Sequence, residues 1–174
     1  MMPPIRRCTR ARFVPLAVAG ALLGACDAGS SNRANTNDPT GAAGAGGEWR
    51  RANLTHYESY PDPNSAECIE YNGCMWAGQF AALDGVQPES WVQENNIAAV
   101  HSDDFPTYRL KTLRLRQGTR EIDVVVYDMC ADSDCDGCCT RNSAQTGFLI
   151  DIEKYTMQRF GSGSGIVDWT CLDC

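Results

Sequence analysis

Leu110–Arg116 (LKTLRLR) and Glu121–Tyr127 (EIDVVVY), joined by Gln117-Gly118-Thr119-Arg120, decide the fold. In the first arm Leu113 and Leu115 alternate with Arg114 and Arg116, the period of two that buries one face of a strand. The second arm is rich in valine and isoleucine, which favour pleated backbone. Gly118 lies in the short polar connection, so the whole predicts a β-hairpin with a glycine turn. Working outward, Ile97–Val100 (IAAV) is a candidate buried strand, Asn53–Tyr60 (NLTHYESY) a candidate opening strand and Ile166–Trp169 (IVDW) a closing one. Pro88–Asn95 starts with proline and acids and predicts a short helix. Phe148-Leu149-Ile150 leads into Asp151–Phe160, a short amphipathic helix with Asp151 placed to cap it and Gly161 to end it. Pro61-Asp62-Pro63-Asn64-Ser65 has the chemistry of a loop. Cys74–Leu83 (CMWAGQFAAL) is apolar without a clean period and fits either a buried helix or a bent strand. Trp76, Trp91 and Trp169 are expected in the core. Several short strands with two small helices predict a mainly β protein, a barrel with short helices.

The N-terminal end has a different character. Arg6, Arg7, Arg10 and Arg12 precede an uncharged apolar run, Phe13–Leu23 (FVPLAVAGALL), which is too short for an ordinary membrane span. Leu23-Gly24-Ala25-Cys26 follows. Basic region, apolar region and small residues before a cysteine predict a lipoprotein signal peptide over residues 1–25, with the Cys26 thiol taking the lipid. An ordinary secretory signal cut near Ala25 would leave Cys26 free. Asp27–Gly47 (DAGSSNRANTNDPTGAAGAGG) holds too little apolar surface to offset its ordering entropy, so residues 26–47 are expected as a flexible linker. The folded domain is then 48–174. The expected location is the cell envelope, with lipid attachment to a membrane on the periplasmic side or at the cell surface.

Hydrophobic residues make up 43 % and charged residues 21 % of the 174-residue chain, an ordinary globular balance. The formal net charge is −7, and loss of the four signal-peptide arginines, with no acid, leaves −11. Such a surface repels phosphate backbones, so nucleic acid is not an expected partner. Attachment to an anionic bilayer would have to be covalent.

Of ten cysteines, Cys8 leaves with the signal and Cys26 is taken by lipid. Cys68, Cys74, Cys130, Cys135, Cys138, Cys139, Cys171 and Cys174 remain. An even number in a small exported domain predicts four disulfides. Adjacent Cys138 and Cys139 are expected to reach different partners. The other pairings stay open. Cys135-Asp-Gly-Cys138 and Cys171-Leu-Asp-Cys174 also have zinc-ribbon spacing, but export favours disulfides. Asp132, Asp134 and Asp136 alternate as in calcium loops without the glycine and glutamate that complete one. No metal and no cofactor is expected.

Taken in order, Val124–Cys130 (VVVYDMC), a Cys-rich loop, Leu149–Arg159 (LIDIEKYTMQR) and Gly165–Trp169 (GIVDW) resemble the expansin and barwin family. Asp128 matches the aspartate of the family's V-T-D, Asp151 that of D-L-S, and Trp169 the tryptophan of the closing strand. Leu54-Thr55-His56-Tyr57 is similar to the A-T-[FY]-Y opening. The resemblance implies a six-stranded double-psi β-barrel over roughly Asn53 to Trp169. Ile152-Glu153 stands in place of L-S, and Cys68–Leu83 has no counterpart. Rare lipoprotein A carries the same barrel on a lipid anchor, and some members are peptidoglycan lytic transglycosylases. Ala98-Ala99-Val100-His101 looks like its A-A-H, while Ser90 stands where that family has a glutamate, with Glu89 and Glu94 nearby. Related endoglucanases place an acid on the opening strand where this chain has Ser59, beside Glu58.

The resemblance implies that Asp128 and Asp151 hydrogen-bond sugar hydroxyls beside Thr55 and Tyr57, loosening cell-wall polysaccharide without cutting it. Hydrolysis wants two carboxyl groups, and Ser59 removes one. Asp151 would be an acid if burial raised its pKa. Two alternatives stand beside this: a peptidoglycan lytic transglycosylase, in which His101 would join Asp128, and a protein-binding or protease-inhibiting module of the barwin type; Asp128 and Asp151 are the candidate catalytic acids. Expected partners are a peptidoglycan, cellulose or chitin-like polymer and the membrane through its anchor, with the chain a monomer. Plainer roles compete at each position. Asp151 fits a helix cap, Asp128 a turn brace and His101 a satisfied core or surface residue. Asn53-Leu54-Thr55 matches a glycosylation acceptor by chance.

Overall fold

The computed structural model describes residues 47–174. The expected signal peptide (1–25), Cys26 and the linker as far as residue 46 lie outside them. The described chain forms β1 (Arg50–Tyr57), α1 (Ala66–Ile69), α2 (Glu89–Glu94), β2 (Ile97–His101), α3 (Phe105–Tyr108) and β3 (Thr112–Gln117). There follow β4 (Arg120–Cys130), α4 (Cys138–Ser143), β5 (Leu149–Glu153), α5 (Lys154–Phe160) and β6 (Gly165–Cys171).

The six strands close into a mixed barrel in the order β1-β5-β2-β4-β3-β6. Only β3 and β4 are joined by a hairpin. Their last pair is Gln117 with Arg120, and Gly118 takes φ +61° as the first turn residue, as a type II′ turn requires. The pairs β1–β5 and β2–β4 are parallel, and β2–β5, β1–β6 and β3–β6 are antiparallel. Closure leaves no free sheet edge. Alternation fills the interior with Ala52 and Leu54, Ala98 and Val100, Leu113 and Leu115, Val124 and Val126, Ile150 and Ile152, Val167 and Trp169, plugged by Phe160 of α5. A second apolar cluster on the outside holds Phe80, Val92 and Ile97, with Tyr60, Trp91 and Tyr127 packed against it. It glues the excursion between β1 and α2 onto the barrel wall, which is why all of Ile97–Val100 is buried.

Three sequence expectations are corrected. Asp151 caps no helix, because β5 pairs with β1 on one side and β2 on the other and so continues to Glu153. The helix starts at Lys154, and its cap is Glu153, whose carboxylate accepts from the Tyr155 N–H at 2.6 Å. Gly161 does end it, at φ +72°. Cys74–Leu83 is neither helix nor strand but a run of turns that buries only Phe80 and Ala82 among its hydrophobic residues. With Cys74 tied back to Cys68 and no apolar period, it has no regular face to bury. Trp76 is accordingly 48 % exposed, whereas Trp169 is 2 % exposed and Trp91 partly buried.

Four disulfides brace the domain: Cys68–Cys74, Cys130–Cys139, Cys135–Cys138 and Cys171–Cys174. Cys138 and Cys139 take different partners. Both C-x-x-C pairs close on themselves, so their sulfurs are engaged with each other.

Candidate functional site

Four neighbouring strands present one transverse row on the outer face of the barrel. Thr55 on β1 is paired with Asp151 on β5, Asp151 with Ala99 on β2, and Ala99 with Asp128 on β4. Thr55, Asp151 and Ala99 lie there by simple alternation with the inward Leu54, Ile150, Ile152 and Ala98. Asp128 does not, since counting by twos from Val124 and Val126 would send it inward. A bulge corrects the phase: Ala98 pairs with Val126, but Ala99 pairs with Asp128, leaving Tyr127 as the extra residue. Bulges re-aim side chains in this way beside functional sites. The methyl of Ala99 keeps the floor low between the two acids.

The excursion from Glu58 to Gln87 and the Cys-rich loop after β4 rise on either side, making an open groove of about 850 Å³. Thr55, Tyr57, Asp128 and Asp151 all line it, with Glu67, Tyr71 and Trp76 from the excursion. The Thr55 hydroxyl donates to Asp151 Oδ1 at 2.7 Å. Asp128 Oδ1 accepts from the N–H groups of Ala81 at 3.0 Å and Met129 at 2.9 Å. The Ala81 bond holds the excursion against the end of β4, and the Met129 bond fixes the carboxylate on its own strand. Burial pushes both acids up to about 6, against the hydrogen bonds they accept. The Tyr57 hydroxyl is buried without a hydrogen-bond partner of normal geometry, although it lies near enough to Asp128 to favour that group's ionised form. Burial first, then the carboxylates around it, raise the Tyr57 pKa well above that of a free tyrosine. Such a site carries carboxyls that titrate closer to neutral pH than free ones and presents hydrogen-bonding groups to the groove.

His101 is not brought to this groove. It ends β2, where Nε2 lies 3.2 Å from the Thr140 hydroxyl and 3.6 Å from the Asp132 carboxylate. Its neighbours are structural, and the pairing with Thr140 fastens α4 to the barrel.

Sequence reasoning missed Glu67, Tyr71 and Trp76. Glu67 lies in the first turn of α1, where Ser65 accepts from the Cys68 N–H at 3.3 Å. The Cys68–Cys74 disulfide closes the segment, and Gly73 donates its N–H to the Glu67 carbonyl at 2.9 Å. A Cβ at Gly73 would stand 2.9 Å from Glu67 Cγ, so the glycine is the space in which this side chain rests. Burial, then the charge of Asp151, push the Glu67 carboxyl up to about 7. The available signals were the cysteine spacing and Ser65, which foretell a small closed turn but not which way it faces. Trp76 and Tyr71, 48 % and 43 % exposed, offer ring faces at the groove.

A scan against models of known protein families finds no match, and a search among curated proteins finds no significant relative.

Proposed function

We propose that the domain is an expansin-like double-psi barrel, lipid-anchored through Cys26 outside the cytoplasm, that binds and loosens cell-wall polysaccharide. The observation that supports this reading is the convergence of Thr55, Asp151 and Asp128 on one open groove. Sugar hydroxyls donate to the two acids and to the Thr55 oxygen, whose own hydrogen goes to Asp151, and Tyr57 lines the groove beside them. Exposed Trp76 and Tyr71 supply apolar faces for sugar rings, as aromatic side chains do at wet interfaces. Gripping a polymer strand and loosening it needs no more than this.

Retention on cellulose, chitin and isolated sacculi tests the reading. We expect binding to at least one polymer, weakened severalfold by Trp76→Ala and by Asp128→Ala. Failure to bind any of the three would reject it and favour a protein partner of the barwin kind. A lytic transglycosylase of the rare lipoprotein A type is a second reading. It is favoured by the raised pKa values of Asp128 and Asp151, which suit proton transfer near neutral pH. His101 has no part in it, since it stands outside the groove. Anhydro-muropeptides released from sacculi would mark that activity.

A further inference from the structure

Two of the four bridges touch each other. Cys139 Sγ, bonded to Cys130, lies 3.8 Å from Cys135 Sγ and 3.9 Å from Cys138 Sγ. The sulfurs of Cys130, Cys138 and Cys139 all stand within 4.8 Å of one another. Disulfides exchange when a thiolate attacks a bonded sulfur, and sulfurs in van der Waals contact need little motion to do so. Local backbone builds the cluster. Asp136 and Gly137 both take left-handed φ values, +51° and +79°, and the chain turns so that Cys138 meets Cys135. Helix α4, which starts at Cys138, then sets Cys139 beside them. All four cysteines line the groove, but Cys139 is fully buried whereas Cys135 and Cys138 are only partly so. An external thiol therefore reaches the C-x-x-C bridge and not Cys139. We propose that Cys135–Cys138 is the entry point of a disulfide relay, through which an external dithiol opens the Cys130–Cys139 bridge.

The donor thiolate attacks Cys138 Sγ, so that a mixed disulfide forms and Cys135 leaves as a thiolate. Arg141 donates to the carbonyls of Asp136 and Cys135, which puts a positive charge beside the leaving sulfur. A neighbouring cation favours the thiolate form. Asp132 lies within 4.8 Å of Cys135 and Cys139, but its carboxylate is taken up by the N–H and hydroxyl of Thr140. Cys135 then attacks Cys139 Sγ. A Cys135–Cys139 bond forms and Cys130 leaves. Cys138 is not the attacking group, since adjacent cysteines cannot easily join. The donor's second thiol attacks the mixed disulfide, Cys138 leaves, and the donor departs as its own disulfide. Two electrons and two protons have passed from donor to protein, and the free thiols are Cys130 and Cys138.

Cys130 ends β4 two residues after Asp128. Once the relay has run, no bridge ties the Cys-rich loop to β4, because Cys135–Cys139 lies within the loop itself. That loop forms one wall of the groove. On the reading of the groove as a polysaccharide site, on which this consequence rests, reduction loosens the wall and lowers retention on polymer. The relay itself does not depend on that reading.

The test treats the full chain, disulfides intact, with limiting dithiothreitol, caps free thiols with iodoacetamide and maps the peptides by mass spectrometry. Chains opened in the Cys-rich loop are expected to carry caps on Cys130 and Cys138 and a new Cys135–Cys139 bridge. Caps on Cys135 and Cys138 with Cys130–Cys139 intact would overturn the relay. In the double variant Cys135→Ser, Cys138→Ser, capping of Cys130 is expected to slow roughly tenfold at the same dithiothreitol concentration. An unchanged rate would overturn the relay as well. Retention on cellulose, chitin and sacculi before and after the treatment separates the two claims. A severalfold fall on reduction is expected, and unchanged retention would overturn control of the groove. No retention even with every bridge intact would reject the polysaccharide reading and leave the relay standing on the peptide map.

Discussion

Asp128 and Asp151 show, at the level of single residues, what it costs to bury carboxyls in the wall of a groove. A carboxyl whose pKa is raised on folding is held more tightly as the neutral acid in the native state than in the unfolded chain. Its contribution to stability is therefore complete below about pH 4 and lost as the pH rises through the folded value. Both acids move from an ordinary 3.8 to about 6, so the window lies between about pH 4 and 6. Asp151→Asn keeps an acceptor for Thr55 and removes the buried charge. It should raise stability at pH 7.5 by roughly 1–2 kcal/mol and flatten the fall between pH 4 and 6.5. Urea denaturation at the two extremes measures this, and a variant less stable than the parent at pH 7.5 would contradict it. Charged groups of this kind persist in natural proteins where function needs them, at the expense of stability.

Two elements place Asp128, β4 with its bulge and the loop that follows it. The bulge turns Asp128 outward, and two residues later Cys130 is tied to Cys139 at the start of α4. Cys139 is fully buried. This bridge spans nine positions, whereas Cys171–Cys174 spans three at the end of the chain. Chain-entropy arguments assign about 3 kcal/mol to the first and about 2 kcal/mol to the second. Replacing both Cys130 and Cys139 by alanine should therefore lower stability more than the same change at Cys171 and Cys174. It should also weaken polymer retention, because β4 loses its anchor beside Asp128. Thermal melts and pull-downs on the two double variants check both expectations, and equal losses would show that the loop does not hold the groove.

At the scale of the molecule, the barrel is a closed object whose pairings are nearly all non-local. Gly47 and the first strand meet the last, where the Thr170 hydroxyl donates to the Gly47 carbonyl at 2.8 Å and β1 pairs with β6. The end at which the expected tether joins is thereby sewn into the sheet. Under the proposed anchoring, Cys26→Ser should move the protein from the membrane fraction to the soluble fraction after lysis and leave the melting temperature of the barrel unchanged. Persistence of the serine variant in the membrane fraction would mean that something other than a lipid on Cys26 holds it there.

By itself the sequence determined the local features. Alternation in Thr112–Gln117 and the Gly118 turn specify the β3–β4 hairpin, because side-chain period and turn sterics act over a few residues. Gly161 ends α5 for the same reason, and two adjacent cysteines cannot easily join each other. The six-stranded barrel was legible through the order of its motifs along the chain. Only the tertiary structure decided what depends on distant partners. Asp151 belongs to a strand and not to a helix cap because β1 and β2 claim its backbone. Asp128 faces outward because a bulge against β2 shifts its phase, and no period within β4 announces that. Glu67 joins the acids because a disulfide-closed turn folds back over the barrel, held by Asn72, which donates to the Asp134 carbonyl at 3.1 Å, and by the bond from Ala81 to Asp128, partners far from Glu67 along the chain.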